Sequence, residues 1–102
     1  APYSVAMGRG NNSYGEASSS FNYHTTARGD YSQSFGFYST ANGHNSTAIG
    51  RRAFADHDGS FVYSDRANST GVHSTADNQF MVRAIGGSIF YSRLFLGVHS
   101  MD

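Results

Sequence analysis

The chain has 102 residues, no cysteine, and seven arginines balanced by six Asp and one Glu, with no lysine. That length allows one domain at most, and the lack of thiols excludes disulfide staples and Cys-based metal sites. Without a basic block there is no support for a sequence-independent hold on nucleic acid, and no apolar run is long enough to span a membrane. Residues 1–14 lack a signal-peptide layout. The pattern begins and ends abruptly, so the chain is expected to be a piece of a longer protein.

From Ser4 a 14-residue period governs the chain: Ser4, Ser18, Ser32, Ser46, Ser60 and Ser74. A small residue stands two places after each of them, at Ala6, Ser20, Ser34, Ala48, Val62 and Ala76. A bulky one follows at Met7, Phe21, Phe35, Ile49 and Tyr63, until Asp77 breaks the series. Half a period later a second small column runs through Ser13, Ala27, Ala41, Ala55 and Ser69. Gly15, Gly29, Gly43 and Gly71 line up two residues beyond it, with His57 as the exception. A fixed short period of this kind is the mark of a solenoid.

The expected coils are residues 4–17, 18–31, 32–45, 46–59 and 60–73, with a decaying sixth from Ser74. Within each half-coil the apolar residues alternate with period two, which predicts two short strands separated by glycine-containing turns. The fold class is therefore all-β, a flat parallel β-roll whose coils stack at ~4.8 Å, with residues 1–77 forming the repeat. Ala6, Ala27, Ala41, Ala48 and Ala55 are expected to fill the interior. Leucine occurs only at Leu94 and Leu96, and an interior of Ala and Ser buries too little area to fold alone. The bulky column then faces outward as a stripe. A closed cyclic oligomer with Met7, Phe21, Phe35, Ile49 and Tyr63 on its axis is the economical solution.

Residues 78–102 are more apolar and are expected to cap the roll. Residues 79–85 and 88–92 flank Gly86-Gly87 and read as a hairpin, and a third run follows at residues 93–98.

The run Ser39-Thr40-Ala41-Asn42-Gly43-His44-Asn45-Ser46-Thr47-Ala48-Ile49-Gly50 resembles the head-domain repeat of trimeric autotransporter adhesins, the YadA-like head. The resemblance extends over residues 4–76. It weakens in coil two, where Asn22 replaces the first glycine, and in coil five, which carries Val62 and Ser64. It implies a homotrimeric, left-handed parallel β-roll. Residues 77–87, with Phe90-Tyr91-Ser92, are similar to a stretch that follows such repeats in phage tail fibres, ahead of a self-cleaving intramolecular chaperone. Together the two resemblances imply a virion fibre that attaches to a host glycan or cell-wall receptor, its chaperone removed from the parent chain. The alternative is the head of an adhesin on the bacterial outer surface. Neither implies a cofactor.

Candidate chemistry is sparse. Ser60, His57 and Asp56 are neighbours in a turn, whereas a triad is defined by convergence in a cleft. Ser60 is already accounted for by the period, so no catalytic residue is assigned. Asp56-His57-Asp58 is the one candidate for a cation, centred on His57, and a polar turn before Gly59 explains it equally well. A depolymerase would need paired carboxylates, but Glu16 is the only glutamate and no second acid repeats beside it. An ice-binding array fails too: Thr26 and Thr40 stack, but Phe54 and Asn68 follow in their column, and Phe61 interrupts Thr47 and Thr75. Tyr14, Tyr23, Tyr31, Phe37, Tyr38 and Phe54 fall at turn or outward positions near Arg28, Arg51 and Arg52. Tyr23, Tyr38, Arg51 and Arg52 are the candidate glycan contacts, by stacking on sugar faces. The competing reading packs these rings between protomers.

Overall fold

The alternation inside each half-coil becomes two strands per coil in the computed structural model, which describes residues 2–67 and 69–91. The first sheet, sheet A, stacks β1 (Val5–Arg9), β3 (Ser19–Tyr23), β5 (Gln33–Phe37), β7 (Thr47–Arg51), β9 (Phe61–Ser64) and β11 (Phe80–Arg83) in that order. Sheet B stacks β2 (Asn12–Ser13), β4 (Thr26–Ala27), β6 (Thr40–Ala41), β8 (Ala53–Ala55) and β10 (Val72–His73). Every pairing is parallel, and the chain alternates between the sheets, making an all-β parallel solenoid with no helix among the described residues.

The interior is as small as the columns require. Ala27, Ala41, Ala48, Ala55 and Val62 are fully buried, and so are Ser18, Ser20, Ser34, Ser46 and Thr25. Ala6 departs from expectation: it pairs with Ser20 in the interior column but is exposed, because its strand is paired on one edge alone among the described residues. Burying hydroxyls requires partners. Ser18, Ser46 and Ser60 donate to the carbonyls of Gly15, Gly43 and His57 at 2.7, 2.6 and 2.7 Å, closing the turn that precedes each. This is the chemical meaning of the serine period. Ser32 occupies the same place, yet its buried hydroxyl makes no such bond among the described residues.

The glycine column is set by stacking. A Cβ on Gly15 or Gly29 would lie 2.0 Å from the carbonyl oxygen of the next coil's glycine, and one on Gly43 would lie 2.2 Å from His57 O. The opposite end of the same turn holds a left-handed residue in every coil: Tyr3, Ala17, Tyr31, Asn45, Gly59 and Asn78, with φ between 52° and 68°.

The period itself needs correction. Phe80 pairs with Phe61 and Val72 with Ala53, so the last step is 19 residues in both sheets, five more than before. The extra residues lie between Ser64 and Val72. Ser74, which continues the count of 14, follows Ala55 in sheet B (its N–H donates to Phe54 O), and Gln79 takes the place after Ser60. Ser69, Gly71 and Ala76 likewise leave the columns assigned to them, and His73 rather than Asn68 follows Phe54. The bulky series does not end at Asp77: Val82 pairs with Tyr63, and Met81 with Val62. The roll thus runs through Arg83, past the boundary expected at residue 77. Gly87 N–H closes a turn onto Ala84 O at 2.9 Å, and residues 88–91 carry no strand. The remainder of the expected hairpin and the third run, residues 92–102, lie outside the described residues, as does Asn68.

Asp65 fastens the enlarged coil. Its Oδ1 accepts from Arg83 Nη1 and its Oδ2 from Ile85 N–H, both at 2.6 Å. The Ile85 N–H bond holds the carboxyl below its ordinary value, partial desolvation opposes this, and the Arg83 charge adds to the lowering. A depressed carboxylate stabilises the fold above its unfolded pKa, and that contribution is lost as pH falls through the folded value. Asp65→Asn should therefore flatten the acid limb of stability below about pH 4 in urea unfolding at a series of pH values. Equal acid losses in both proteins would show that Asp65 plays no such part.

Candidate functional site

Sheet A ends at a corner of the roll, where two adjacent columns turn out of the strand. Arg9, Tyr23, Phe37 and Arg51 are in strict register as the last residues of four successive strands. The next residue in each coil, Gly10, His24, Tyr38 and Arg52, takes a left-handed φ of 71°, 52°, 55° and 57°. That twist sets a second column beside the first.

The rings form a ladder along the rod. Tyr23 and Phe37 stack with centroids 5.2 Å apart and planes 7° from parallel, and His24 and Tyr38 stack at 5.1 Å and 7°. Edge contacts of 4.3 Å (Tyr23–His24) and 4.7 Å (Phe37–Tyr38) join the columns. Arginine closes the ends. Arg9 lies 5.7 Å from the Tyr23 centroid, Arg51 5.4 Å from Phe37, and Arg52 5.2 Å from Tyr38. The remaining face of His24 is covered by Gly10, where a Cβ would come within 2.7 Å of the imidazole. Ring–ring and cation–ring contacts each add roughly 0.5–1.5 kcal/mol beyond burial, so the ladder stiffens the corner.

Tyr23, Tyr38, Arg51 and Arg52 are thus brought together, but not as a stacking platform. Each ring has another ring, a guanidinium or the Gly10 backbone stacked against its faces. Arg28 belongs elsewhere: it sits in the turn of the opposite corner and donates to Asn42 Oδ1 at 3.1 Å. Arg9, His24 and Arg66 were missed as site residues. For Arg9 the signal was present, since it stands one period before Tyr23. Arg66 comes from the extra residues of coil five, whose loop leans on the ladder as Arg51 Nη1 donates to Arg66 O at 3.3 Å.

The stripe lies on the outward face of sheet A. Met7 and Tyr63 are exposed, Phe21, Phe35 and Ile49 half-buried, and Phe21 stacks on Phe35 at 5.1 Å. Val5, Phe61 and Phe80 share that face, with Phe61 and Phe80 stacked at 5.2 Å.

Ser60, His57 and Asp56 do not form a relay. The Ser60 hydroxyl is spent on His57 O, His57 Nδ1 lies 2.7 Å from Ser74 Oγ, and Asp56 is engaged by Asn42 and His73. No three His, Asp or Glu side chains converge as metal ligands among the described residues. No helix of the described residues is long and apolar enough to cross a membrane.

With this geometry in view, two segments match a known family. Residues 27–53 and 41–61 each match the YadA head domain repeat. The matched residues keep the 14-residue step and contain Gly43, with Phe37, Tyr38 and Arg51 of the ladder. No curated protein and no solved structure matches the chain.

Proposed function

We propose that this chain is a structural and receptor-binding segment of a homotrimeric fibre, a phage tail fibre or tail spike, that attaches a virion to its host. The observation that carries the reading is the outer face of sheet A. Six strands line up Met7, Phe21, Phe35, Ile49, Tyr63 and Val82 there, over an interior of little more than Ala and Ser. At about 25 cal/mol per Å2, such an interior contributes little apolar stabilisation, and the outer face supplies the missing area when copies associate. YadA-like head domains are typically trimeric, which fits three such faces meeting on an axis. The work of the segment is mechanical and adhesive rather than catalytic, and it is done outside the cell. The YadA repeat match favours a second reading, the head of an adhesin on a bacterial surface that binds host matrix or glycan. The residues encoded after Asp102 separate the two: a chaperone domain marks the fibre, a membrane-anchor barrel the adhesin.

Light scattering should give a mass near three chains, about 33 kDa from 11.0 kDa each. A stably folded monomer would reject the proposal.

A further inference from the structure

The charge balance of the chain conceals a segregation. Among the described residues the ladder corner collects Arg9, Arg51, Arg52, Arg66 and Arg83 against Asp65, a balance of +4 (five positive, one negative). The opposite corner collects Glu16, Asp30, Asp56, Asp58 and Asp77 against Arg28, a balance of −4. The acidic corner has an internal use. Asp30, Asp58 and Asp77 accept the backbone N–H of Glu16, His44 and Asp58 at 2.8, 2.9 and 3.1 Å, tying successive coils together. At the basic corner Asp65 is the one carboxylate among the described residues, and it accepts from Arg83 and Ile85.

We propose that the arginine–aromatic corner is the binding site for an acidic glycan, a polymer of sugars bearing carboxylate or sulfate groups. The proposal rests on the adhesive reading above and names the ligand class. The stacked rings fix Arg9, Arg51 and Arg52, lowering the side-chain entropy lost when an anion is gripped. Arg9 and Arg51 are three strand steps apart, about 14 Å along the rod, so two positive centres bracket the rings of one column and can each meet an anionic group of an extended polymer. Guanidinium binds carboxylate and sulfate through paired N–H donors. Because the ring faces are covered, a neutral sugar has no platform, and specificity falls to the charges and the rims. The acidic corner of a neighbouring copy is the rival occupant; its carboxylates are engaged in holding its own coils.

The test measures binding of the full chain to polygalacturonate, dextran sulfate, neutral dextran and polyphosphate at physiological salt, alongside its mass in solution. The expected result is binding to one or both acidic glycans, no binding to dextran, and weaker binding to polyphosphate. Preference between the two glycans identifies the anionic group. Arg52→Gln and Arg66→Gln should each weaken binding about tenfold or more, and Arg28→Gln should leave it unchanged. Arg66 is exposed in the loop, so its variant reads binding without risk to the fold. Several results would overturn the proposal: equal binding of dextran or polyphosphate, affinity insensitive to Arg66, or no glycan binding by an intact trimer. That last result leaves the fibre reading standing. A monomeric mass that retains glycan binding would reject the trimer and keep the corner. A fall in mass caused by Arg52→Gln or Arg66→Gln would assign the corner to the neighbouring copy and also overturn the proposal.

Discussion

Gly29→Ala is expected to abolish folding, although it adds one methyl group to a backbone that any residue can adopt. The added carbon would lie 2.0 Å from Gly43 O and 2.4 Å from its carbonyl carbon, where ordinary contact needs well over 3 Å. The coils cannot part to admit it. Their spacing is set by bonds on both sides of the site, Arg28 N–H to Ala41 O at 2.8 Å before it and Asn45 N–H to Asp30 O at 2.9 Å after it. Overpacking of this kind costs about 3 kcal/mol or more once ladder bonds are lost, a large share of a domain's ~5–15 kcal/mol. Gly86→Ala is the matched control, since a Cβ there meets nothing within 4 Å. Circular dichroism and thermal unfolding of the two variants make the comparison. Unchanged melting of Gly29→Ala would mean that the coils are not stacked as described.

The second large effect concerns the stripe. Phe35→Asp should dissociate the proposed trimer, because it sets a carboxylate in the middle of the outer face of sheet A, where three copies would meet on the axis. Phe35 is only half-buried within one chain and stacks on Phe21, so the substitution leaves the interior column of Ser20, Ser34 and Ala48 untouched. Burying an unpaired charge costs several kcal/mol, enough to lower the association constant by about a thousandfold. Tyr14→Asp, at an exposed turn position, should keep the trimer mass. Sedimentation of both variants at micromolar concentration decides the matter, and a trimeric Phe35→Asp protein would remove the stripe from the interface.

The coils up to Ser60 were legible because each requirement fell on a fixed column. Hydroxyls close turns, methyls fill a narrow interior, and glycines admit the next coil's carbonyl. Coil five was not legible for a physical reason. Five inserted residues brought Ser69, Gly71 and Ser74 onto the old count by coincidence, and small residues are too frequent here to expose the error. The bulky series was the better guide, since Met81 and Val82 resume the alternation after the gap, but Asp77 looked like an end. At the corner the right residues were legible and their roles were not. Tyr23 and Tyr38 were marked as rings offered to a ligand, yet the 14-residue step stacks Tyr23 face to face with Phe37, and Tyr38 with His24. Periodicity predicts that like side chains meet; whether they face outward or inward along the rod depends on rotamers and on the left-handed residue beside them.

The insertion between Ser64 and Val72 has a wider meaning. Both sheets absorb the same shift, so the interior columns resume in register and only the corner changes. The corner therefore behaves as a margin at which length and composition are free to vary while the roll stays the same. Loops of other sizes grafted between those two residues would be carried on an unaltered shaft, beside the arginine-capped ring ladder whose spacing the shaft itself dictates.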